Sequence, residues 1–550
     1  MNIELDGREI EVDEENTLLE ICRQEGKEIP TKCYLKEIGS DSRCRVCLVE
    51  VDGRLVTSCS TYPKKGSKIK TDTERVLEAR EKNLELMKQK KDSSEAYKLF
   101  KEVGLGNNRF DKEDHKLEIM GQSLLREMEE CVNCGRCVKV CDHIQGVHAI
   151  DFAGRGHESR VTPHREKKLS EVACIRCGQC ILRCEEDALK EKSHLKKVEE
   201  ALSDKTKFVV AQTAPAVRAS LGELFAMEPG TNVEGEMVAA LRKKGFDRVF
   251  DTVFGADLTI VEEASELIER IKGGGPFPMI TSCCPAWIIY MEHFHPELKK
   301  NVSSCKSPHM MVGALTKTFF AEKMDKNKED IVVVSIMPCT SKKFEVSRTE
   351  MKEDVDYVLT TRETAKMFKK ESIDLNNMEK QDFDDPMGIS TGAGKIFGAT
   401  GGVMEAAIRT ANDKLDGGQI DFRLEEVRGE HGIKRGEVDI DGQKVRFIVA
   451  HGGKNIGKTI EMLDDGDEVH FIEFMACPGG CVCGGGQPRS ENNLFPERAA
   501  ALYISDENSD LRLSHNNPAV KKIYDDFLDE PLSDKSEKLL HTFYLERDGF

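Results

Sequence analysis

The sequence predicts a multidomain chain that combines α+β units with an α/β domain. Short strand-like runs joined by Asp-Gly turns fill residues 1–60, whereas strand-like and helical runs alternate beyond about residue 205. Between these regions, two similar cysteine-rich runs lie about 43 residues apart. We therefore expect five segments, which span residues 1–78, 79–120, 121–203, 204–495 and 496–550.

The bulk composition is that of a soluble globular protein of 550 residues, of which 39% are hydrophobic and 33% charged. No run of about 18 or more apolar residues occurs, so we expect no membrane span. The acidic start lacks the layout of a secretory signal, and we expect a cytoplasmic protein. The net charge of −18 argues against nucleic acid as the main partner.

The first segment is expected to form short strands that position a metal cluster. IELDGREIEV predicts a hairpin around Asp6-Gly7, and CRVCLVEVDGRLVTSC predicts another around Asp52-Gly53. TERVLEAREKNLELMKQKK is a charged helical stretch, and residues 79–120 are interpreted as a helical linker without cluster ligands.

Twenty cysteines in a cytoplasmic chain favour metal ligands over disulfides. The first group has the spacing C-x10-C-x2-C-x11-C, and four thiolates satisfy the outer positions of a 2Fe-2S cluster. A structural zinc site is the rival interpretation, although zinc ribbons usually contain two C-x2-C hooks and only one is present. The predicted ligands are Cys33, Cys44, Cys47 and Cys59.

CVNCGRCVKVC and CIRCGQCILRC both follow C-x2-C-x2-C-x3-C, the run of bacterial two-cluster ferredoxins. In that arrangement the fourth cysteine of each run ligates the other cluster. One 4Fe-4S cluster is therefore expected on Cys131, Cys134, Cys137 and Cys184, and the other on Cys141, Cys174, Cys177 and Cys180. The proline that usually follows the fourth cysteine is replaced by Asp142 and Glu185.

Three strand-like runs of the α/β segment, KFVVAQTAP, DIVVVSIMPC and EVHFIEFMAC, end in loops with a functional character. The carboxyl ends of strands are the expected place for a site in such a sheet. Four thiols from separate loops would build a buried centre, and nearby glycines allow the backbone to approach something bulky. These thiols belong to Cys284, Cys339, Cys477 and Cys481.

TSCCPAW, MPCTSKKFE and ACPGGCVCGGGQP resemble the three signature loops of the FeFe-hydrogenases, and the resemblance extends over most of the chain. It is closest to the large monomeric clostridial type. It implies an N-terminal plant-ferredoxin-like β-grasp domain, a two-cluster ferredoxin domain, an α/β catalytic domain and a small-subunit-like helical tail. The implied reaction is 2H⁺ + 2e⁻ ⇌ H₂.

The implied active centre is the H-cluster, a 4Fe-4S cubane joined to a diiron unit that carries CO, cyanide and azadithiolate. The resemblance places the cubane on the four thiols above, with Cys481 bridging to the diiron unit. Lys342 would pair with a cyanide. For Met337 and Met475, which the resemblance places against the diiron unit, the alternative is an ordinary role in the hydrophobic core. The remaining implied pocket residues are Ala214, Pro215, Ser307, Pro308, Met337 and Met475.

The resemblance also implies a proton path that begins at Cys283, a free thiol that exchanges a proton with the bridging amine. Glu263, Glu266 and Arg270 fall on one helical face, and Ser303 can act as both donor and acceptor. Taken alone, that stripe of charges is more typical of a solvated helix face.

The sequence departs from the large clostridial type in several places. Residues 60–130 contain no cysteine, so the accessory cluster held by one histidine and three cysteines is expected to be missing. Ala216 stands where some members have serine, and His309 stands where glutamine is common. Cys22 is interpreted as a core residue. Cys305 and Cys483 are candidates for an effect on oxygen sensitivity or anaerobic inactivation, with simple packing as the more common alternative.

The expected partners are ferredoxin or a similar electron carrier, H₂ and protons as substrates, and maturation proteins that install the diiron unit. The main alternative is the catalytic subunit of an electron-bifurcating or sensory hydrogenase. A cluster-assembly protein of the related eukaryotic group would lack the full pocket. A respiratory NADH dehydrogenase subunit would lack the signature loops.

Overall fold

A computed structural model gives the architecture of most of the chain. It describes residues 1–88, 117–120, 123–127, 130–155, 159–416, 427–440, 442–464 and 468–545. Within these ranges, no helix combines the length and the apolar character needed to cross a membrane.

The N-terminal unit is a mixed five-stranded sheet with strand order β2-β1-β5-β3-β4. Both predicted hairpins are confirmed, because Asp6-Gly7 and Asp52-Gly53 form two-residue turns in which every φ is positive, as type I′ turns require. The strands are β1 Asn2–Leu5, β2 Arg8–Glu11, β3 Leu48–Val51, β4 Arg54–Thr57 and β5 Lys68–Lys70, and the helices are α1 Leu18–Gln24 and α2 Glu74–Lys88.

Helix α2 carries this unit beyond the expected boundary at residue 78. Arg80 donates from Nε to the Leu48 carbonyl at 2.8 Å, and Leu84 packs against the thiols of Cys33 and Cys44. The helix therefore belongs to the N-terminal unit, because its buried face covers the cysteine loop. Most of the expected helical linker, residues 89–116, lies outside the described residues.

The ferredoxin-like unit begins earlier than expected, because residues 117–120 form a strand rather than the end of a helical linker. That strand pairs antiparallel with Leu124–Glu127 and completes a three-stranded sheet of order β10-β7-β6. The elements are β6 Leu117–Met120, β7 Leu124–Glu127, β8 Ile150–Ala153, β9 Arg160–Pro163, β10 Leu189–Glu191, and α3 Arg136–Lys139, α4 Gln179–Leu182 and α5 Leu195–Ser203.

The α/β unit contains two four-stranded sheets, of order β12-β11-β14-β15 and β13-β18-β17-β16. The first is parallel throughout, and every residue of its strand Ile331–Met337 is buried, as expected for a central parallel strand. The strands are β11 Phe208–Thr213, β12 Arg248–Asp251, β13 Met279–Ile280, β14 Ile331–Met337, β15 Tyr357–Thr360, β16 Ile433–Ile440, β17 Gln443–His451 and β18 Phe471–Met475.

Helices cover both sheets. The longest helix among the described residues is α8, which starts at the Asp251 N-cap and ends before Gly274. The Asp251 carboxylate accepts from the Val253 N–H at 3.0 Å. The helices are α6 Pro215–Arg218, α7 Glu234–Lys244, α8 Thr252–Gly273, α9 Pro285–Phe294, α10 Pro308–Leu315, α11 Ala321–Lys323, α12 Lys342–Glu345, α13 Thr361–Lys370, α14 Gly392–Lys395, α15 Gly402–Asp416 and α16 Gly453–Asp464.

The C-terminal tail is mostly helical, as predicted, with α17 Phe495–Glu507, α18 Pro518–Ile523 and α19 Asp534–Leu540. It is anchored to α8 by buried carboxylates. Asp257 accepts from the Ser514 hydroxyl at 2.8 Å and from the Asn517 amide at 2.9 Å. Glu262 accepts from the Tyr524 hydroxyl at 2.6 Å. The tail thus supports the helix that carries the predicted proton path.

Replacing Asp257 with alanine should destabilise this junction by on the order of 3 kcal/mol, because several buried donors would lose their acceptor. Chemical denaturation followed by circular dichroism measures the change. Asp510→Ala, at an exposed aspartate of the same tail, is the matched control and should stay near wild type. Equal stability of the two variants would contradict the anchoring role.

Candidate active site

The first cysteine group gathers between α1 and the end of β4. The Sγ atoms of Cys47 and Cys59 are 3.1 Å apart, and the Ser40 hydroxyl lies 3.4 Å from Cys33 Sγ and 3.0 Å from Cys59 Sγ. Hydrogen bonding with Cys59 lowers the pKa of Cys47, which favours the thiolate that binds metal. All four thiols of the group are buried together, and this donor set suits a 2Fe-2S cluster.

The two ferredoxin runs form two separate cavities. Each is lined by three cysteines of one run and the fourth cysteine of the other, as the motif predicts. The first is lined by Cys131, Cys134, Cys137 and Cys184, and the second by Cys141, Cys174, Cys177 and Cys180.

The backbone of the two runs repeats as well. Asn133 and Gly135 have φ of 54° and 81°, and the equivalent Arg176 and Gly178 have 58° and 71°. Burial raises the pKa of Cys134 to about 12, so such a thiol loses its proton at neutral pH only when a metal replaces it. The donor set and the repeated wrapping both fit iron–sulfur clusters.

The third group comes together at the carboxyl ends of strands from both sheets. Cys284 follows β13 as the N-cap of α9, Cys339 follows β14, and Cys477 and Cys481 lie in the loop after β18. All four thiols line one cavity. Gly480 shapes it, since its φ is 91° and an added Cβ would lie 2.7 Å from the Thr400 nitrogen.

Most of the other predicted pocket residues line the same cavity. Ser307 is the exception, and it reaches the cavity through Lys342, whose Nζ lies 3.1 Å from its hydroxyl. Ala216 and His309, the two departures from the family pattern, also line the cavity. The residues placed as expected are Ala214, Pro215, Pro308, Met337, Lys342 and Met475.

Lys342 is the buried cation of this cavity, and Glu345 holds it at 3.0 Å. Burial opposes ionisation of Glu345, but Lys342 and His309 outweigh it and lower the pKa of Glu345 to about 2. His309 Nε2 lies 2.6 Å from the same carboxylate and its Nδ1 lies 3.1 Å from the Ser335 hydroxyl. The lysine therefore stays charged at a fixed position. Sequence reasoning missed Glu345, although its i+3 spacing from Lys342 was a usable signal.

Cys283 lines the cavity beside the ligand set. Burial, together with the charge of Glu263, raises the pKa of Cys283 well above that of a free thiol. A thiol that keeps its proton at neutral pH suits proton exchange. Its neighbour Cys284 lines the same cavity as the other three cubane candidates.

A polar route leads from this region toward the outside of α8. Glu263 is 1% exposed, and the Ser282 hydroxyl lies 3.5 Å from its Oε1. Ser303 donates to Glu266 at 3.0 Å and also interacts with Glu263. Arg270 completes the route by donating to Glu266 at 2.5 Å. Sequence reasoning missed Ser282, for which adjacency to Cys283 was the available signal.

Glu263 has the electrostatics of a proton carrier. Burial, reinforced by the charge of Glu266, raises the pKa of Glu263 to about 8. The carboxyl therefore gains and loses a proton near neutral pH, as general acid–base groups must. This result favours a relay over the alternative of a solvated helix face.

The remaining thiols separate by location. Cys22 is buried in the N-terminal core, where burial raises its pKa to about 11, and this agrees with the core interpretation. Cys305 is fully buried beside the polar route, and its N–H donates to the Ser303 hydroxyl at 3.2 Å. Cys483 lines a separate cavity of about 240 Å³ at the junction with the ferredoxin-like unit. Their predicted influence on oxygen sensitivity stays a prediction.

Residues 207–485, just over half of the chain, match the family described as the C-terminal domain of the iron-only hydrogenase large subunit. The chain belongs to the FeFe-hydrogenase family. Residues 492–547 match the iron hydrogenase small subunit, and residues 1–74 match a 2Fe-2S cluster-binding domain. Residues 121–173 match the ferredoxin-like domain of NADH-quinone oxidoreductase subunit 3. An FeFe-hydrogenase is an oxidoreductase that acts on H₂.

Two curated relatives resemble this FeFe-hydrogenase over nearly its whole length. The NADP-reducing hydrogenase subunit HndD of Solidesulfovibrio fructosivorans is 40% identical over 100% of this chain and 99% of its own. Iron hydrogenase 1 of Clostridium pasteurianum is 38% identical over 98% of this chain and 99% of its own length. The solved structure of apo HydA1 from Chlamydomonas reinhardtii, a variant form, has a TM-score of 0.58 and 41% identity over 64% of this chain and 99% of that one.

Glu263→Gln should lower turnover by about 10²- to 10⁴-fold, because an amide cannot alternate between proton-bound and proton-free states. In the wild type, H₂ oxidation should rise as the pH approaches 8, since only the ionised carboxylate accepts a proton, and this rise should vanish in the variant. Dye-coupled H₂ oxidation from pH 6 to 9 measures both effects.

Glu269→Gln is the control, because Glu269 is an exposed carboxylate on the same helix. It should retain wild-type turnover and the wild-type pH profile. A normal pH profile in Glu263→Gln would remove Glu263 from the route.

Proposed function

We propose that this chain catalyses the reversible reduction of protons to H₂ at an H-cluster. The observation that carries this proposal is the convergence of four thiols from three separate loops on one cavity that also holds a buried, paired lysine. When bound, the cofactor supplies the redox chemistry and the open iron position at which H₂ is formed or split.

Four cysteines would hold the cubane, with Cys481 bridging to the diiron unit. Lys342 would bind a cyanide ligand through its ammonium, since Glu345 and Ser307 hold that group in the cavity. The apolar lining excludes water, which strengthens this charge interaction. The cubane ligands would be Cys284, Cys339, Cys477 and Cys481, and the remaining contacts would come from Ala214, Pro215, Ser307, Pro308, Met337 and Met475.

Cys283 would hold the proton nearest the reacting centre. Ser282, Glu263, Ser303 and Glu266 would then pass protons outward, and Arg270 would keep Glu266 oriented at the outer end. Support comes from the hydrogen bond that Ser303 donates to Glu266 at 3.0 Å and from a Glu263 pKa near the working pH. The route is needed because the cavity lies within the folded unit and its protons must come from solvent.

Electrons would pass through one 2Fe-2S cluster and two 4Fe-4S clusters. The cavity that contains Cys177 adjoins the catalytic loops, because an added Cβ on Gly485 would lie 2.1 Å from the Cys177 carbonyl oxygen. Thr340, next to the cubane ligand Cys339, donates to the Arg176 carbonyl at 2.8 Å. The cluster on Cys141, Cys174, Cys177 and Cys180 would therefore be the one that exchanges electrons with the cubane.

Three accessory clusters are proposed, without the cluster held by one histidine and three cysteines. Iron analysis of the reconstituted chain tests this number. About four additional iron atoms per chain would contradict it.

Ferredoxin or a similar carrier is the proposed electron partner of the isolated chain. The full-length similarity to an NADP-reducing hydrogenase subunit favours a second candidate, in which partner subunits connect the chain to NADP. Maturation proteins would install the diiron unit. The twenty cysteines, most of them proposed cluster ligands, favour a reducing, cytoplasmic setting.

The two electron partners are separated by assaying the purified, matured chain with H₂ and either ferredoxin or NADP⁺. Direct reduction of ferredoxin, with no reduction of NADP⁺, is expected. If neither acceptor is reduced while viologen is, electrons leave through a dedicated partner subunit instead. That result would contradict the ferredoxin proposal.

The adjacent cysteines should respond differently to alanine substitution. Cys283→Ala should keep its iron content and lose at least about 10²-fold in turnover, because a proton donor is lost but no ligand. Cys284→Ala should lose cubane iron, because a ligand is lost. Iron content, electron paramagnetic resonance and H₂ evolution distinguish the variants. Equal loss of iron in both would contradict this division of roles.

A further inference from the structure

The 2Fe-2S unit is fastened to the ferredoxin-like unit by a buried lysine. Lys32, which precedes the cluster ligand Cys33, is only 5% exposed. Its Nζ lies 2.9 Å from Glu185 Oε2 and 2.5 Å from Glu186 Oε1. These two carboxylates directly follow Cys184, a ligand of the neighbouring 4Fe-4S site.

This lysine reaches the cavity of that site. Lys32 lines it together with Cys131, Cys134, Cys137 and Cys184. Arg136, which precedes Cys137, pairs with the other oxygen of Glu185. The two cations and two carboxylates therefore connect the segment that carries Cys33 to the loops that carry Cys137 and Cys184.

A second contact brings the cluster loops together. The Arg43 guanidinium, one residue before Cys44, lies 3.4 Å from the centre of the Phe152 ring. The same ring lies under Gly135, one residue after Cys134, where an added Cβ would be 2.8 Å from it and 3.8 Å from Arg43 Cδ. A side chain at position 135 would displace the Phe152 ring on which the Arg43 guanidinium rests.

Further ion pairs surround these contacts. Lys139 is buried, donates to the Gly39 carbonyl at 3.0 Å and lies 3.3 Å from Asp41. Arg183 lies 3.0 Å from Glu37. In every pair one partner comes from each unit, so the two surfaces are complementary in charge.

The key acidic residue is also a departure from the ordinary motif. The fourth cysteine of a bacterial ferredoxin run is usually followed by proline, and here Glu185 takes that position. Proline carries no charge and would leave Lys32 with one carboxylate fewer. The substitution thus turns the edge of a cluster site into a docking surface.

We propose that Lys32, Glu185, Glu186 and Arg136 form a latch that couples the 2Fe-2S cluster directly to the cluster held by Cys131, Cys134, Cys137 and Cys184. This inference rests on the cluster assignments proposed above and adds the residues that join the two sites. The step served by the latch moves one electron, so that one cluster is oxidised as the other is reduced, and no atom is transferred. The latch residues are positioning residues, because they fix the separation of the clusters without ligating iron.

Electron paramagnetic resonance of the full-length reduced chain, with its accessory clusters reconstituted, tests the latch. In the wild type, the 2Fe-2S signal should show magnetic coupling to a nearby reduced 4Fe-4S cluster. In Lys32→Glu this coupling should disappear, because three carboxylates would repel one another. Electron equilibration between the clusters after rapid mixing with reductant should slow by about tenfold or more, equivalent to at least ~1.4 kcal/mol in the barrier.

Matched variants make the test specific. Glu186→Lys in the Lys32→Glu background reverses the pair and should restore the coupling. Lys65→Glu, at an exposed lysine of the same unit, should leave it unchanged. Asp41→Lys places a positive charge opposite Lys139, at a half-exposed position where it is tolerated more easily. It should weaken the magnetic coupling between the clusters, and it keeps the test valid if Lys32→Glu fails to fold.

The outcomes separate the latch from the proposed function. Both cluster signals and dye-driven H₂ evolution should persist in Asp41→Lys, since dyes also reduce the ferredoxin-like clusters directly. Wild-type coupling in both Lys32→Glu and Asp41→Lys would overturn the latch while leaving the proposed function intact. Absence of the 2Fe-2S or 4Fe-4S signals from the wild type would overturn the cluster assignments themselves.

Discussion

The structure depends on the convergence of four thiols that come from three loops far apart in sequence. Cys284, Cys339, Cys477 and Cys481 approach one cavity from strands of two different sheets. Burial raises the pKa of such thiols, as at Cys339, where it reaches about 11, so without a metal the cavity would hold neutral thiols. Both sheets, the glycine-rich loop and the ferredoxin-like unit packed against it are needed to hold this geometry.

Two buried charged groups near this centre, Lys342 and Glu263, differ in whether an opposite charge lies beside them. Lys342 shares Glu345 with His309, whereas no cation of the described part of the chain pairs with Glu263, which is therefore poised to change its protonation state. An unpaired buried carboxyl is costly, so its position on the route from Cys283 favours a role in proton transfer over one in stability. The paired Lys342 and the Glu263 carboxyl thus suit two different tasks, which are ligand binding and proton movement.

Much of this organisation was predictable because it depends on local signals. Asp-Gly turns fixed the hairpins, apolar runs predicted the buried strands, and cysteine spacing predicted the crossed ligand sets that line two cavities. The contact between Ser282 and Glu263 and the hydrogen bond between His309 and Glu345 join different segments of the chain, so local signals did not predict them. The same holds for Lys32 and Glu185, which are 153 residues apart. Strand Leu117–Met120 was missed for a related reason, since only its pairing with β7 identifies it.

Infrared spectroscopy of the matured chain tests the central claim most directly. If the four converging thiols hold a cubane joined to a diiron unit, the spectrum should show CO and cyanide stretching bands, and the cyanide bands should shift in Lys342→Gln, because the buried ammonium would no longer bind that ligand. A matured, iron-loaded chain that evolves no H₂ and shows neither CO nor cyanide bands would contradict the account.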